Sequence, residues 1–61
     1  MNYQNKIKRI RQFLNLTQEA LAHELGVSFA TINRWETGKS MPSKLAARAI
    51  DEYYRKHHIT D

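Results

Sequence analysis

The 61-residue chain has room for one domain, and a chain this short buries only about 60% of its unfolded surface, which leaves no space for an enclosed substrate pocket beside a core. Zero Cys excludes a disulfide framework and fits a reducing cytoplasm, while two Gly and one Pro argue against a loop-rich or disordered chain, so a helical fold is expected throughout. Ten Lys and Arg against six Asp and Glu give a net charge of +4, which favours a polyanionic partner, although basic surface helices also serve solubility.

No apolar run approaches the roughly 18 residues of a membrane span. The basic start MNYQNKIKRIRQ lacks the hydrophobic segment of a signal peptide, so the protein is expected to stay in the cytoplasm. Positions 1–5 carry no periodic signal and read as a frayed start. From 6 to 14, Ile7, Ile10 and Leu14 recur at three and four, which predicts an amphipathic first helix. Its other positions hold Lys6, Lys8, Arg9 and Arg11. Asn15 follows where a left-handed residue would end the helix, a conformation that Asn tolerates better than other non-glycine residues. Arg11, one residue beyond Ile10, falls at the edge of the apolar face, partly covered, or serves as one more solvated or phosphate-facing cation.

The stretch 17–38, TQEALAHELGVSFATINRWETG, organises the rest. Thr17 suits an N-cap and Gly26 a left-handed C-terminal residue, which predicts a helix over 18–25 with Leu21, Leu25 and Ala22 on one narrow apolar face. Gly26 and Val27 turn the chain, and Ser28 can cap a second helix over 29–36. Its apolar positions Ile32 and Trp35 are three apart, so Trp35 is expected in the core rather than as a stacking platform. At about 100° per residue, Phe29, Ala30, Asn33, Arg34 and Thr37 then fall on the opposite side. That face carries an amide, a guanidinium, a hydroxyl and an apolar group, the groups able to read base edges in a major groove. Two helices joined by a short Gly-containing turn, the second with such a face, describe a helix-turn-helix.

Within this frame Arg34 can meet O6 and N7 of guanine with a bidentate fork, or make a nonspecific phosphate contact. Asn33 can bond adenine or phosphate. Phe29 and Ala30 can sit against a thymine methyl, or Phe29 can act as a staple packing on the domain. Gln18 opens a helix where backbone amides and the dipole favour phosphate, and Thr17 can cap and touch phosphate together.

After the pair, TGKSMPS over 37–43 reads as a loop in which Gly38 ends the helix, Pro42 fixes the next turn and Ser43 caps the last helix. That helix is expected over 44–57, with Leu45, Ala49, Ile50, Tyr53 and Tyr54 as its apolar side. Leu14, Leu16, Leu21, Leu25, Val27, Ile32 and Leu45 are expected to complete the core around Trp35. His23, His57 and His58 do not form a metal set, because no acid or Cys stands at ligand spacing. No nucleophile, base and orienting group can be assembled, so no enzyme activity, metal or cofactor is expected.

Leu16-Thr17-Gln18-Glu19, Leu21-Ala22, Leu25-Gly26-Val27-Ser28, Thr31-Ile32, Arg34-Trp35-Glu36 and Gly38-Lys39 resemble the phage repressor and Cro class, also called Xre-like, over about 7–45. The resemblance implies an all-α, lambda-repressor-like domain of four helices and sequence-specific binding of double-stranded DNA as a transcriptional regulator, in particular a repressor. It further implies an ion pair between Arg11 and Glu36, a phosphate bond from Gln18 that also braces the reading helix, and backbone contacts from Thr37, Lys39 and Ser40, with Lys44 and Arg48 as weaker candidates. Asn15 departs from the family's usual Gly, and Phe29 and Ala30 from its frequent Gln or Ser. Such domains generally act as dimers on palindromic half-sites. In this chain Tyr53, Tyr54 and Ile59 are the candidates for that contact, while Tyr53 and Tyr54 can instead cover the first three helices. Two readings compete: an antitoxin-like or adaptor module docking a protein through its last helix, and the targeting domain of a larger DNA-modifying enzyme.

Overall fold

Each helix begins on a small polar residue whose side-chain oxygen accepts the backbone N–H three positions on, satisfying a donor that the helix itself leaves free. Asn2 accepts from Asn5 at 2.8 Å, Thr17 from Ala20 at 3.0 Å, Ser28 from Thr31 at 3.1 Å and Ser43 from Ala46 at 3.2 Å. The computed structural model describes residues 2–59. It comprises α1 (Tyr3–Leu14), α2 (Gln18–Leu25), α3 (Phe29–Thr37) and α4 (Lys44–Lys56), with no strand among the described residues.

The helix ends follow the same local logic. Gly26 at φ 72° and Gly38 at φ 76° close α2 and α3 in the left-handed region, which residues with a Cβ enter at a cost. Asn15 closes α1 there too, at φ 56°. The beginning of α1 differs from expectation: the helix starts at Tyr3, three residues before the expected start at Lys6. Two things hold this extra turn, the Asn2 cap and a hydrogen bond from the Tyr3 hydroxyl to Asp51 at 2.9 Å. Neither leaves a trace in apolar spacing. Met1, the first residue of the expected frayed start, lies outside the described residues.

Ile7 and Ile10 of α1, Leu21 and Ala22 of α2, Ile32 and Trp35 of α3 and Ile50 of α4 form one buried cluster. Leu14, Leu16, Leu25 and Val27 pack against it, half-buried. α3 touches both α1 and α2, and α4 packs on α1. Two expectations about α4 are corrected. Ile50 is buried and Tyr53 and Tyr54 pack on the core as expected, but Leu45 is 76% exposed and Ala49 is also exposed, because the helix turns Ala46 inward in their place. Ile59, expected at a dimer contact, is 6% exposed and fills the core beyond the end of α4. The chain reaches it through a turn at His57 and His58, with a bond from the Ile59 N–H to the Tyr54 carbonyl at 3.1 Å.

A polar clamp joins α1 to α4. Lys6 Nζ lies 2.7 Å from Asp51 Oδ1 and 4.8 Å from the centroid of the Tyr54 ring, while Tyr3 bonds the other oxygen of Asp51. The Lys6 hydrogen bond holds the Asp51 carboxyl below its ordinary range, against the opposing effect of burial, with Tyr3 adding to it. The hydrogen bond to Asp51 in turn raises the Tyr3 phenol. Among the described residues no helix is long and apolar enough to cross a membrane.

Candidate nucleic-acid interface

The buried positions of α3 fix which side it shows to solvent. With Ile32 fully buried and Trp35 at 6%, the helix cannot roll without pulling its largest apolar groups from the core. Phe29, Ala30, Arg34 and Thr37 are left exposed, and Asn33 is half-buried. Phe29 is 50% exposed, so half of its surface is available on this face. The Ser28 side chain both caps α3 and bonds the Thr31 hydroxyl at 2.8 Å, anchoring the first turn of this face.

Behind the face runs a polar network that ties three helices together. Arg11 of α1 grips Glu36 of α3 with two bonds, Nε to Oε2 at 2.6 Å and Nη2 to Oε1 at 3.1 Å, and also donates to the Leu16 carbonyl at 3.3 Å. Glu36 is 5% exposed, and a carboxylate so covered needs a charged, bidentate partner. That contact raises the Arg11 guanidinium further, against partial burial. Gln18, the first residue of α2, donates Nε2 to Glu36 Oε1 at 3.2 Å and accepts from Asn33 Nδ2 at 3.4 Å. The arrangement brings together Arg11, Gln18, Asn33 and Glu36. That Gln18 braces α3 is what the family resemblance implies; Asn33 as its partner was not named, and the one signal for it is that Asn33 and Glu36, three apart, share a flank of α3.

The expected backbone-contacting groups surround this face. Thr17 and Gln18 open α2, and Thr17 uses its oxygen for the cap. Thr37 donates its hydroxyl back to the carbonyls of Asn33 at 2.9 Å and Arg34 at 3.3 Å. The N–H groups of Lys39 and Ser40 both bond the Arg34 carbonyl, at 2.9 and 3.4 Å, folding the loop under the end of α3. The side chains of Lys39, Ser40, Lys44 and Arg48 are exposed. Tyr53 and Tyr54 are half-buried and engaged within the chain. Tyr53 donates to Glu24 at 3.1 Å and meets the His57 ring in a tilted contact, centroids 4.4 Å apart, and its phenol is pushed up, first by burial and then by Glu24.

A family profile for helix-turn-helix domains matches residues 7–59, a span that includes the two helices, their Gly26 turn and the Arg11–Glu36 tie. The chain belongs to the Cro/C1-type, Xre-like helix-turn-helix family. The domain binds DNA and serves transcription regulation. It is 37% identical over 54 residues to the HTH-type transcriptional activator BcrR of Enterococcus faecalis, a match covering 88% of this chain and 26% of that protein; the chain spans about a quarter of the activator's length. It is 48% identical over 50 residues to an uncharacterized HTH-type transcriptional regulator of Methanocaldococcus jannaschii, across 82% of this chain and 76% of that one. A similar regulator of Methanothermobacter thermautotrophicus is 40% identical over 55 residues, across 90% and 80%. No solved structure matches the domain significantly.

Proposed function

We propose that this domain recognises particular duplex sequences with α3 in the major groove and represses transcription by occupying its site. One observation carries the reading: α3 is fixed by Ile32 and Trp35 from one side and by the Arg11–Glu36–Gln18 network from another, with its remaining face open. A groove-reading helix needs that rigidity, since each base contact repays its energy only at defined geometry. Phe29, Ala30, Asn33 and Arg34 set the sequence read, Arg34 by a bidentate bond to guanine. Thr17, Gln18, Thr37, Lys39 and Ser40 hold the phosphate backbone and set register. Repression is the proposed output because site occupancy asks nothing of the chain beyond this surface.

Two copies bind half-sites about 34 to 36 Å apart, since one small module buries little area. The exposed parts of Tyr53 and Tyr54 form the proposed contact, without Ile59. Selection of bound sites from random duplex DNA tests the reading. The wild-type chain enriches a motif, and Arg34→Ala loses preference for a guanine within it. An unchanged motif in Arg34→Ala removes direct readout by Arg34, and no motif at all removes sequence recognition. Analytical sedimentation of the complex reports the stoichiometry, and one chain per duplex on a palindromic site contradicts the paired arrangement.

A further inference from the structure

The network behind α3 has a direction. Arg11 can only donate, and the Glu36 carboxylate bonded to it can only accept. Gln18 therefore turns its NH2 group toward Glu36, which leaves its oxygen for Asn33. Asn33 in turn must present its NH2 to that oxygen. The amide orientation of an isolated Asn is ambiguous, but here three successive partners allow one assignment. Among the described residues no donor bonds the Asn33 side-chain oxygen. Among the described residues no side-chain polar atom is both buried and without a partner, so this oxygen lies open to solvent.

We propose that Asn33 reads adenine, its carboxamide held by Gln18 with the oxygen turned toward the base. This rests on the proposal that α3 enters the major groove. Phosphate oxygens accept only, so an outward carbonyl disfavours the backbone. The open oxygen and the second hydrogen of Nδ2 form an acceptor beside a donor. Adenine answers with its N6 amine and N7, whereas guanine offers two acceptors, thymine an acceptor and a methyl group, and cytosine a lone donor. Gln18 acts as a positioning residue, because its bond to Asn33 fixes which end of the amide faces out.

Site selection with the wild-type chain, Asn33→Ala, Gln18→Ala and Arg34→Ala tests this, together with wild-type binding to a selected duplex carrying a purine that lacks the 6-amino group at each adenine in turn. The expected result is one adenine whose preference disappears in Asn33→Ala and weakens in Gln18→Ala, other positions being retained. Removing the 6-amino group there weakens wild-type binding roughly 5- to 150-fold, the range of one bidentate base contact, and leaves Asn33→Ala binding no weaker than it was. The analogue arm uses the unaltered protein, so a folding defect in a variant cannot imitate it. If Asn33→Ala keeps every adenine while Arg34→Ala changes another position, this inference fails and groove reading stands. If no α3 substitution changes any position, groove reading fails as well.

Discussion

Glu36 shows how a single residue can carry both stability and orientation. Its carboxylate is nearly covered, and Arg11, whose side chain is 28% exposed, supplies the compensating charge. Removing either partner strands the other. Arg11→Ala or Glu36→Gln should cost about 2 to 3 kcal/mol, below the 3 to 5 of a fully buried pair because Arg11 keeps some water. Urea unfolding of both single variants and the double variant checks this: coupling near zero would mean that the pair contributes nothing. At this scale the sequence was partly legible. Arg11 and Glu36 could be paired only through the family resemblance, since nothing in their spacing, 25 residues apart, puts them in contact. The brace from Gln18 to α3 likewise came through the resemblance, while Asn33 as its partner was invisible because two neutral amides leave no charge pattern to follow.

Elements were legible where their ends are local. Thr17, Ser28, Ser43, Gly26 and Gly38 each satisfy or relieve the backbone next to them, so α2 and the starts of α3 and α4 follow from neighbouring residues alone. The inward side of α4 followed only in part: Ile50, Tyr53 and Tyr54 lie against the core as their spacing predicts, whereas Leu45 and Ala49 do not. Leu45 with Ala49 and Ala46 with Ile50 repeat at the same spacing, and only packing on α1 chooses between them. The choice exposes Leu45 and recruits Ile59, which lies outside any periodic run. Ile59→Ala should therefore destabilise by about 2 to 3 kcal/mol, measured by thermal or urea unfolding, while Leu45→Ala should change stability by under about 1. Equal effects would reverse this assignment.

The clamp between α1 and α4 adds a pH dependence. The Asp51 carboxyl is lowered in the folded state, so its contribution is present above the ordinary carboxylate range and is lost as pH falls through the lowered value. Thermal melts between neutral pH and about pH 2 should lose stability on acidification, and Asp51→Asn should flatten part of that loss. An identical acid profile in Asp51→Asn would show that the clamp does not contribute.

The whole molecule measures 26 × 22 × 18 Å and carries +4, so its function depends on one rigid surface presented by a small, basic body. With roughly four phosphates neutralised per half-site, log affinity should fall against log salt with a slope near about −3.6. A slope near zero in fluorescence titrations would contradict backbone binding. The central claim, that α3 is a fixed rod whose open face meets DNA, is tested most directly by amide and side-chain NMR spectra recorded as a selected duplex is added. The largest shifts should fall on Phe29, Ala30, Asn33, Arg34 and Thr37, with smaller ones at Thr17, Gln18, Lys39 and Ser40, and little change at Ile50 or Ile59. Shifts concentrated on α4, with those of α3 unchanged, would contradict it.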